Sequence, residues 1–295
     1  MKLIQWTLFI DMLGYGEING TIESDKHADE FISFMSKNAD IFRRQDNDDM
    51  RRGYEKSNFN IYEYYDIQHA LISDSLVITY KPKELNTEIS DTLYYLHSAN
   101  AFFIIALRLQ WYLYHCLEKK KIFVRGGISN RYAKIDGNFA VGSGIIEGYK
   151  LESRIAKYPR IVISDEIKKN QPLIEAINFL SARLYRIPTI FAQEEEIMFF
   201  DYARLMVRIG LQGGLDFQNI ALYHNFFTYH RDAIIYHTDV ATKKIEQLNK
   251  DGKISEASKT KDSVLSKYVW LKNYHNNAIK TFEDEKIEGI YRINI

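Results

Sequence analysis

One cysteine in 295 residues, Cys116, has no second cysteine to pair with, which excludes an internal disulfide and any metal site built from several thiolates. It lies in the apolar, aromatic stretch WYLYHCLE, and a reducing, cytoplasmic setting is the expectation. Net charge is missing too. Lys and Arg together number 39 and Asp and Glu together number 39, so no long-range field draws the chain to nucleic acid or to an anionic membrane. Any phosphate has to be held locally. No apolar run reaches the roughly 20 residues of a membrane span. The first strand-like segment, WTLFID, begins at once, without a basic leader or a small-residue cleavage site. The expectation is a chain that is neither secreted nor membrane-embedded. There is no internal repeat and no long low-complexity linker. What is present, 46% hydrophobic and 26% charged residues, is the balance of a globular protein with a substantial core, in one large domain or one and a half. Aromatics make up 14%, with 21 tyrosines the largest share, and packing in core and interfaces accounts for them more readily than stacking on a ligand.

The apolar pattern predicts a buried strand over Leu3 to Ile10, broken by Gly14 to Gly16 before helical spacing at Phe31, Ile32, Phe34 and Met35. A charged loop, RRQDNDDMRRGYEK, precedes a strand-like stretch from Asn58 to Ala70, a turn at Ser73 and Asp74, and a returning strand over Leu76 to Tyr80. Helix-period residues at Leu93, Leu96, Phe103, Ala106 and Trp111 mark a long buried helix within Ile89 to Glu118. A strand at Ile122 to Ser129, a Gly-containing loop, a helix from about Gly142 to Ala156 and a strand at Arg160 to Ser164 follow. This order is βαββαβ, and the fold class it points to is α+β, ferredoxin-like, as in polymerase palms and nucleotide cyclases. A further strand pair is expected at Tyr185 to Phe191 and Ile197 to Tyr202, around the acidic turn QEEE. Phe217 to Lys250 and Ser255 to Phe282 read as an antiparallel helical hairpin turning at Asn249, Asp251 and Gly252, with apolar positions such as Ile220, Tyr223, Phe227, Ile234 and Ile235. The division expected is a catalytic domain over 1–210 and a C-terminal helical extension over 211–295 packed on it.

Two carboxylates carry the chemistry. Asp11 ends the first strand and Asp74 sits in the hairpin turn, so the strand, helix and hairpin between them can bring both to one sheet edge, at a distance suited to a pair of divalent metals. Each alone reads equally as a turn or capping residue. Gly14 and Gly16 leave backbone N–H groups near a helix start, where phosphate is favoured, although a simple tight turn explains them as well.

These segments resemble the class III nucleotidyl cyclase family. Phe9-Ile10-Asp11-Met12-Leu13-Gly14-Tyr15 is similar to the family's first metal motif and Ser73-Asp74-Ser75 to its second. Val124-Arg125-Gly126-Gly127-Ile128-Ser129 resembles its fourth strand, Gly142 to Ser153 its dimer-side catalytic helix, and Arg160-Ile161-Val162-Ile163-Ser164 the strand after it. The likeness runs in order over about residues 5 to 205. It implies metal ligation by Asp11, Asp74 and the Met12 carbonyl, with two Mg2+ or Mn2+ ions per site, and substrate contacts at Met12, Gly14 and Tyr15. It implies a homodimer with composite sites, in which Lys150 arrives from the second subunit at the place of the family's transition-state arginine.

The departures point to a branch. Where purine cyclases carry their base-reading residues, this chain has Ala70 and Ser143, and Ile146 stands in place of the ribose-orienting asparagine. The pattern resembles the Pycsar pyrimidine cyclases, which make cyclic UMP or cyclic CMP as an anti-phage messenger read by a separate effector. The segments Lys267-Tyr268-Val269-Trp270-Leu271 and Tyr274-His275-Asn276 are similar to that branch. Tyr64, taken as lying on the strand that enters the Asp74 hairpin and sharing a face with Ala70, is the candidate for base recognition or, equally, a tyrosine packed across strands. The implied reaction converts UTP, or else CTP, to the 3′,5′-cyclic nucleotide and pyrophosphate. Two rivals stand beside it: a catalytically degenerate nucleotide-binding regulator, and a purine cyclase with a rebuilt pocket.

Other conspicuous residues read as structural. His69 fits a satisfied strand-end histidine. His224, His230 and His237 lie six or seven apart, a spacing unlike an i, i+4 metal pair. Glu194, Glu195 and Glu196 fit a solvated turn, and Arg125 fits either an internal ion pair or a reach to phosphates.

Overall fold

The computed structural model describes residues 2–43, 59–85, 89–212 and 217–294. Its centre is a seven-stranded mixed sheet: β1 (Trp6–Met12), β2 (Tyr65–Ile72), β3 (Ser75–Pro82), β4 (Val124–Ser129), β7 (Ile161–Ile163), β8 (Phe191–Glu194) and β9 (Ile197–Phe200), in the order β2-β3-β1-β4-β7-β9-β8. Neighbours are antiparallel except β4 and β7. A small hairpin of β5 (Lys134–Asp136) and β6 (Phe139–Val141) is not hydrogen-bonded into this sheet but packs Ile135 against it.

Strand alternation divides the sheet into two faces. Trp6, Leu8, Ile10 and Met12 of β1 join Leu76, Ile78 and Tyr80 of β3 in the main core. The helix Asp91–Lys120 lies on that face, with Trp6 and Phe102 ring centroids 5.0 Å apart. Ser90 Oγ caps this helix by accepting the Leu93 N–H, and Lys121 ends it in the left-handed conformation at φ 55°. Helices Asp25–Arg43, Gln171–Tyr185 and Phe217–Lys250 pack against it, which is why its buried residues run nearly all round rather than in one stripe. Thr7, Phe9 and Asp11 point to the opposite face, where Phe9, Ala70, Val77 and Ile135 form a small cluster of their own beneath the helix Ser143–Lys150.

That helix comes unusually close to the sheet because glycines face each other. A Cβ on Gly127 would lie 2.4 Å from Leu151 Cβ and 2.6 Å from the Gly148 carbonyl, and one on Gly148 would lie 2.9 Å from Phe9 Cβ. Past Lys150 the helix widens into a π turn, Leu151–Ile155.

Several elements differ from the sequence expectation. Residues 61–64 form a short helix ahead of β2 instead of the start of a strand, capped by the Asn60 side chain accepting the Tyr62 N–H. The stretch ending at Tyr185 is the end of a helix, and β8 begins only at Phe191. Helices Gln171–Tyr185 and Tyr202–Gln212 and the β5–β6 hairpin had no counterpart in the reading of the sequence. From residue 44 on, the charged loop lies outside the described residues. The terminal hairpin is present, turning at Asp251 and Gly252, and its second arm runs through Ile254–Thr260, a π turn Lys261–Leu265 and Ser266–Ile279. Among the described residues no helix is long and apolar enough to cross a membrane.

Candidate active site

Register brings the charged residues together. Asp11, at the end of β1, is opposite Ser75 on one side and Arg125 on the other, and Asp74 occupies the tight turn just before Ser75. Ser73, at φ 59°, is the left-handed residue that lets β2 and β3 meet in so short a turn. The Asp11 carboxyl lies close enough to Asp74 to feel its negative charge. Arg125 reaches across from β4, placing Nε 3.4 Å from Asp11 Oδ2 and in closer ion-pair contact with Glu152 Oε1.

Glu152 enters from the π turn, only 3% exposed, carried there by the tight Gly127 and Gly148 approach. Asp11 and Glu152 thus share one arginine, with Asp74 beside Asp11. Burial, then the charges of Glu152 and Asp74, push the Asp11 carboxyl up to about 7 against the pull of Arg125. Burial likewise raises Glu152, with Arg125 opposing. A fifth charge comes from far along the chain. Lys267, in the first turn of Ser266–Ile279, feels Asp11 and Glu152, which favour its charged form, while burial and Arg125 push its pKa down.

Such a set of hard oxygen donors suits Mg2+ or Mn2+ rather than a soft metal. Among the described residues no group of three or more His, Cys, Asp and Glu side chains is arranged to hold a metal ion. A divalent ion here would therefore rest on Asp11 and Asp74, with oxygens of its ligand and water completing the shell, the usual manner for magnesium on phosphate substrates.

The other sequence candidates are dispersed. Met12 is buried at the strand end, and the next residue, Leu13, donates its N–H to the Phe123 carbonyl at 2.9 Å. Gly14 takes φ 84°, which turns the chain into the short helix Tyr15–Asn19, and the Tyr15 ring packs 5.8 Å from that of Phe31. Ala70 is 3% exposed, against Phe9 and Val77. Ser143 and Lys150 are both exposed, and Lys150 is two residues before the buried Glu152. Tyr64 corrects the expectation. It ends the 61–64 helix and stacks on Phe59 and His97, centroids 5.2 and 4.8 Å away, on the side of the main core, so it does not share a face with Ala70. Strand alternation cannot be carried back through a helical turn.

The histidines have structural partners. His224 contacts the Tyr291 hydroxyl, His230 meets Tyr202 and His275, and His237 Nε2 meets the Lys121 carbonyl at 2.8 Å. Glu194 is more than a turn residue: it accepts from Arg160 at 2.7 Å and from the Trp270 indole at 2.9 Å. The sequence reading did not single out Glu152 or Lys267 as site residues. The one local signal for Glu152 was an acid at the end of an otherwise apolar helix face; Lys267 offered none beyond its place before an aromatic run.

No protein-family model matches the chain, and no curated protein matches it. Among solved structures a weak neighbour is the crystal structure of the guanylyl cyclase Cya2, with 12% identity, 66% of this chain and 89% of that chain covered, and a TM-score of 0.28.

Proposed function

We propose that the chain is a metal-dependent nucleotidyl cyclase acting on a pyrimidine nucleoside triphosphate, UTP or CTP. The observation that carries the reading is the register that sets Asp11, at the end of β1, opposite Ser75 and so beside Asp74 in the β2–β3 turn, with burial first and then the charges of Glu152 and Asp74 raising the Asp11 carboxyl to about 7. Crowding of this kind is relieved by a cation, and a divalent ion on two carboxylates is suited to phosphoryl chemistry. The order of the first four strands, β2-β3-β1-β4 with antiparallel neighbours, agrees with a ferredoxin-like βαββαβ unit.

In this reading Asp11, Asp74 and the Met12 carbonyl hold the metal, which would supply Lewis acidity to the ribose hydroxyl and to the leaving phosphates. The 3′-oxygen forms a bond to the α-phosphorus, the bond from that phosphorus to the bridging oxygen breaks, and pyrophosphate departs with the electron pair while the hydroxyl proton passes to water. Arg125 and Glu152 fix the orientation of Asp11. Ala70, buried among apolar groups, offers no hydrogen bond to a purine edge, which favours a smaller base.

A second copy of the chain completes the reading. Ser143, Ile146 and Lys150 share an exposed helix stripe, and Phe139, Val141, Ile146 and Tyr149 are 52% to 78% exposed along β6 and that helix. Such a surface fits a homodimer in which Lys150 reaches the triphosphate of the opposite site. The cyclic product would be read by a separate effector, as an anti-phage signal in the pyrimidine cyclase branch.

The test is incubation of the purified chain with each ribonucleoside triphosphate and MnCl2, products being separated by mass. Cyclic UMP or cyclic CMP, abolished by Asp74→Asn, supports the reading. Cyclic AMP or GMP would restore the purine alternative, and conversion of none of the four would favour the regulator.

A further inference from the structure

The C-terminal helical hairpin is fastened to the edge of the sheet that carries Asp11. The His237 and Tyr268 rings stack in parallel 5.0 Å apart, and Tyr268 also reaches Phe123, whose carbonyl holds the Leu13 N–H two residues past Asp11. Further along the same helix Trp270 stacks on Tyr158 at 5.3 Å and bonds to Glu194, so the turn that follows Lys267 is held by two sets of contacts. Lys267, immediately before Tyr268, is half-buried, in the field of Asp11, Glu152 and Arg125. Among the described residues it forms no ion pair with any of them. A lysine held there without a salt-bridge partner is a cation available to an incoming anion, and its four-carbon stem gives the ammonium some reach.

We propose that Lys267 is a substrate-binding residue, supplied by the C-terminal helix of the same chain, that contacts the polyphosphate of the nucleoside triphosphate beside Asp11. This rests on the cyclase reading and deepens it: one site would draw cationic groups from the C-terminal helix and, across the dimer, from Lys150. It also gives the helical hairpin a part in binding beyond covering the core.

The experiment measures binding to the full chain by calorimetry with MnCl2, using the non-cyclisable α,β-imido analogue of UTP and, separately, UMP. Lys267→Met is expected to weaken the analogue about 10-fold and to leave UMP within about twofold, since a charged phosphate contact is lost and the nucleoside contacts are kept. Lys267→Arg should recover most of the loss. Thermal melting of each variant checks that the hairpin stays docked. Equal affinity of Lys267→Met and wild type for the analogue overturns the proposal, as does an equal loss for analogue and UMP. If wild type binds neither UTP nor CTP analogue while still responding to Mn2+, the pyrimidine reading fails and the inference about Lys267 fails with it, an outcome distinct from either result on the variants.

Discussion

His230 and His275 place their Nδ1 atoms 3.0 Å apart, both rings fully buried. The neighbours fix the protons. His275 Nε2 faces the Tyr291 carbonyl at 2.9 Å and so carries a hydrogen, which leaves its Nδ1 as an acceptor. His230 must then donate from Nδ1 and accept the Tyr202 hydroxyl at Nε2, 3.0 Å away. Neither ring can take a second proton without losing this chain.

Acid should therefore loosen the C-terminal helices. Burial depresses His275 to about 4, and burial with the neighbouring ring lowers His230 further below its ordinary value. A depressed histidine favours folding above the unfolded value of about 6.5, and that contribution is lost as pH falls toward the folded value. For His275 alone the loss between pH 6.5 and 4 is on the order of 3 kcal/mol. Thermal unfolding at pH 7.5, 6 and 4.5 should show the decline, and His275→Gln should flatten it. An equally steep decline in the variant would place the acid sensitivity elsewhere.

Asp11 works in the opposite sense. Its raised value means the ionised carboxylate opposes folding above the unfolded value of about 3.8, increasingly up to about 7. Asp11→Asn at pH 8, without metal, is expected to raise the melting temperature by about 5 °C. Mn2+ should raise the melting temperature of wild type and leave the variant unmoved. A variant less stable than wild type under these conditions would mean that Arg125 outweighs the two carboxylates.

Glu152→Gln removes the larger of the two charges that hold Asp11 up. The Asp11 carboxyl should titrate at lower pH in this variant, by about one unit, as read by carbon NMR of the labelled side chain. No change would show that burial and Asp74 set it without Glu152.

The glycine contact makes a packing prediction. Gly148→Ala drives a methyl into Phe9, and Gly127→Ala drives one into Leu151 and the Gly148 carbonyl. Either should cost about 2 to 4 kcal/mol in denaturant unfolding, the second more because backbone stands in the way. Both should impair catalysis beyond their effect on stability, since the same helix positions Glu152. Gly137→Ala, at an exposed hairpin turn with nothing within 4 Å, is the control for backbone strain alone, at φ 58°.

What the sequence made legible was local. The β1 to Asp11 strand end, the β2–β3 hairpin turning at Asp74, the long 91–120 helix and the terminal hairpin all follow from short-range period and turn chemistry. Tyr64 was misread because β-rich composition extends back from β2 into residues that the Asn60 cap bends into a helix. The helices at 171–185 and 202–212 passed unnoticed beside stretches rich in aromatic and β-branched residues. Glu152 and Lys267 were beyond a local reading. One is brought in by a π turn and two facing glycines, the other by aromatic stacking between segments over a hundred residues apart, and neither leaves a periodic trace.

The docking of Tyr268 and Trp270 also carries a consequence for the timing of biosynthesis. The strands bearing Asp11, Asp74 and Arg125 leave the ribosome long before the helix that bears Lys267, so a nascent chain assembles its acidic cluster first and receives the lysine late. During that interval the carboxylates stand short of one positive neighbour.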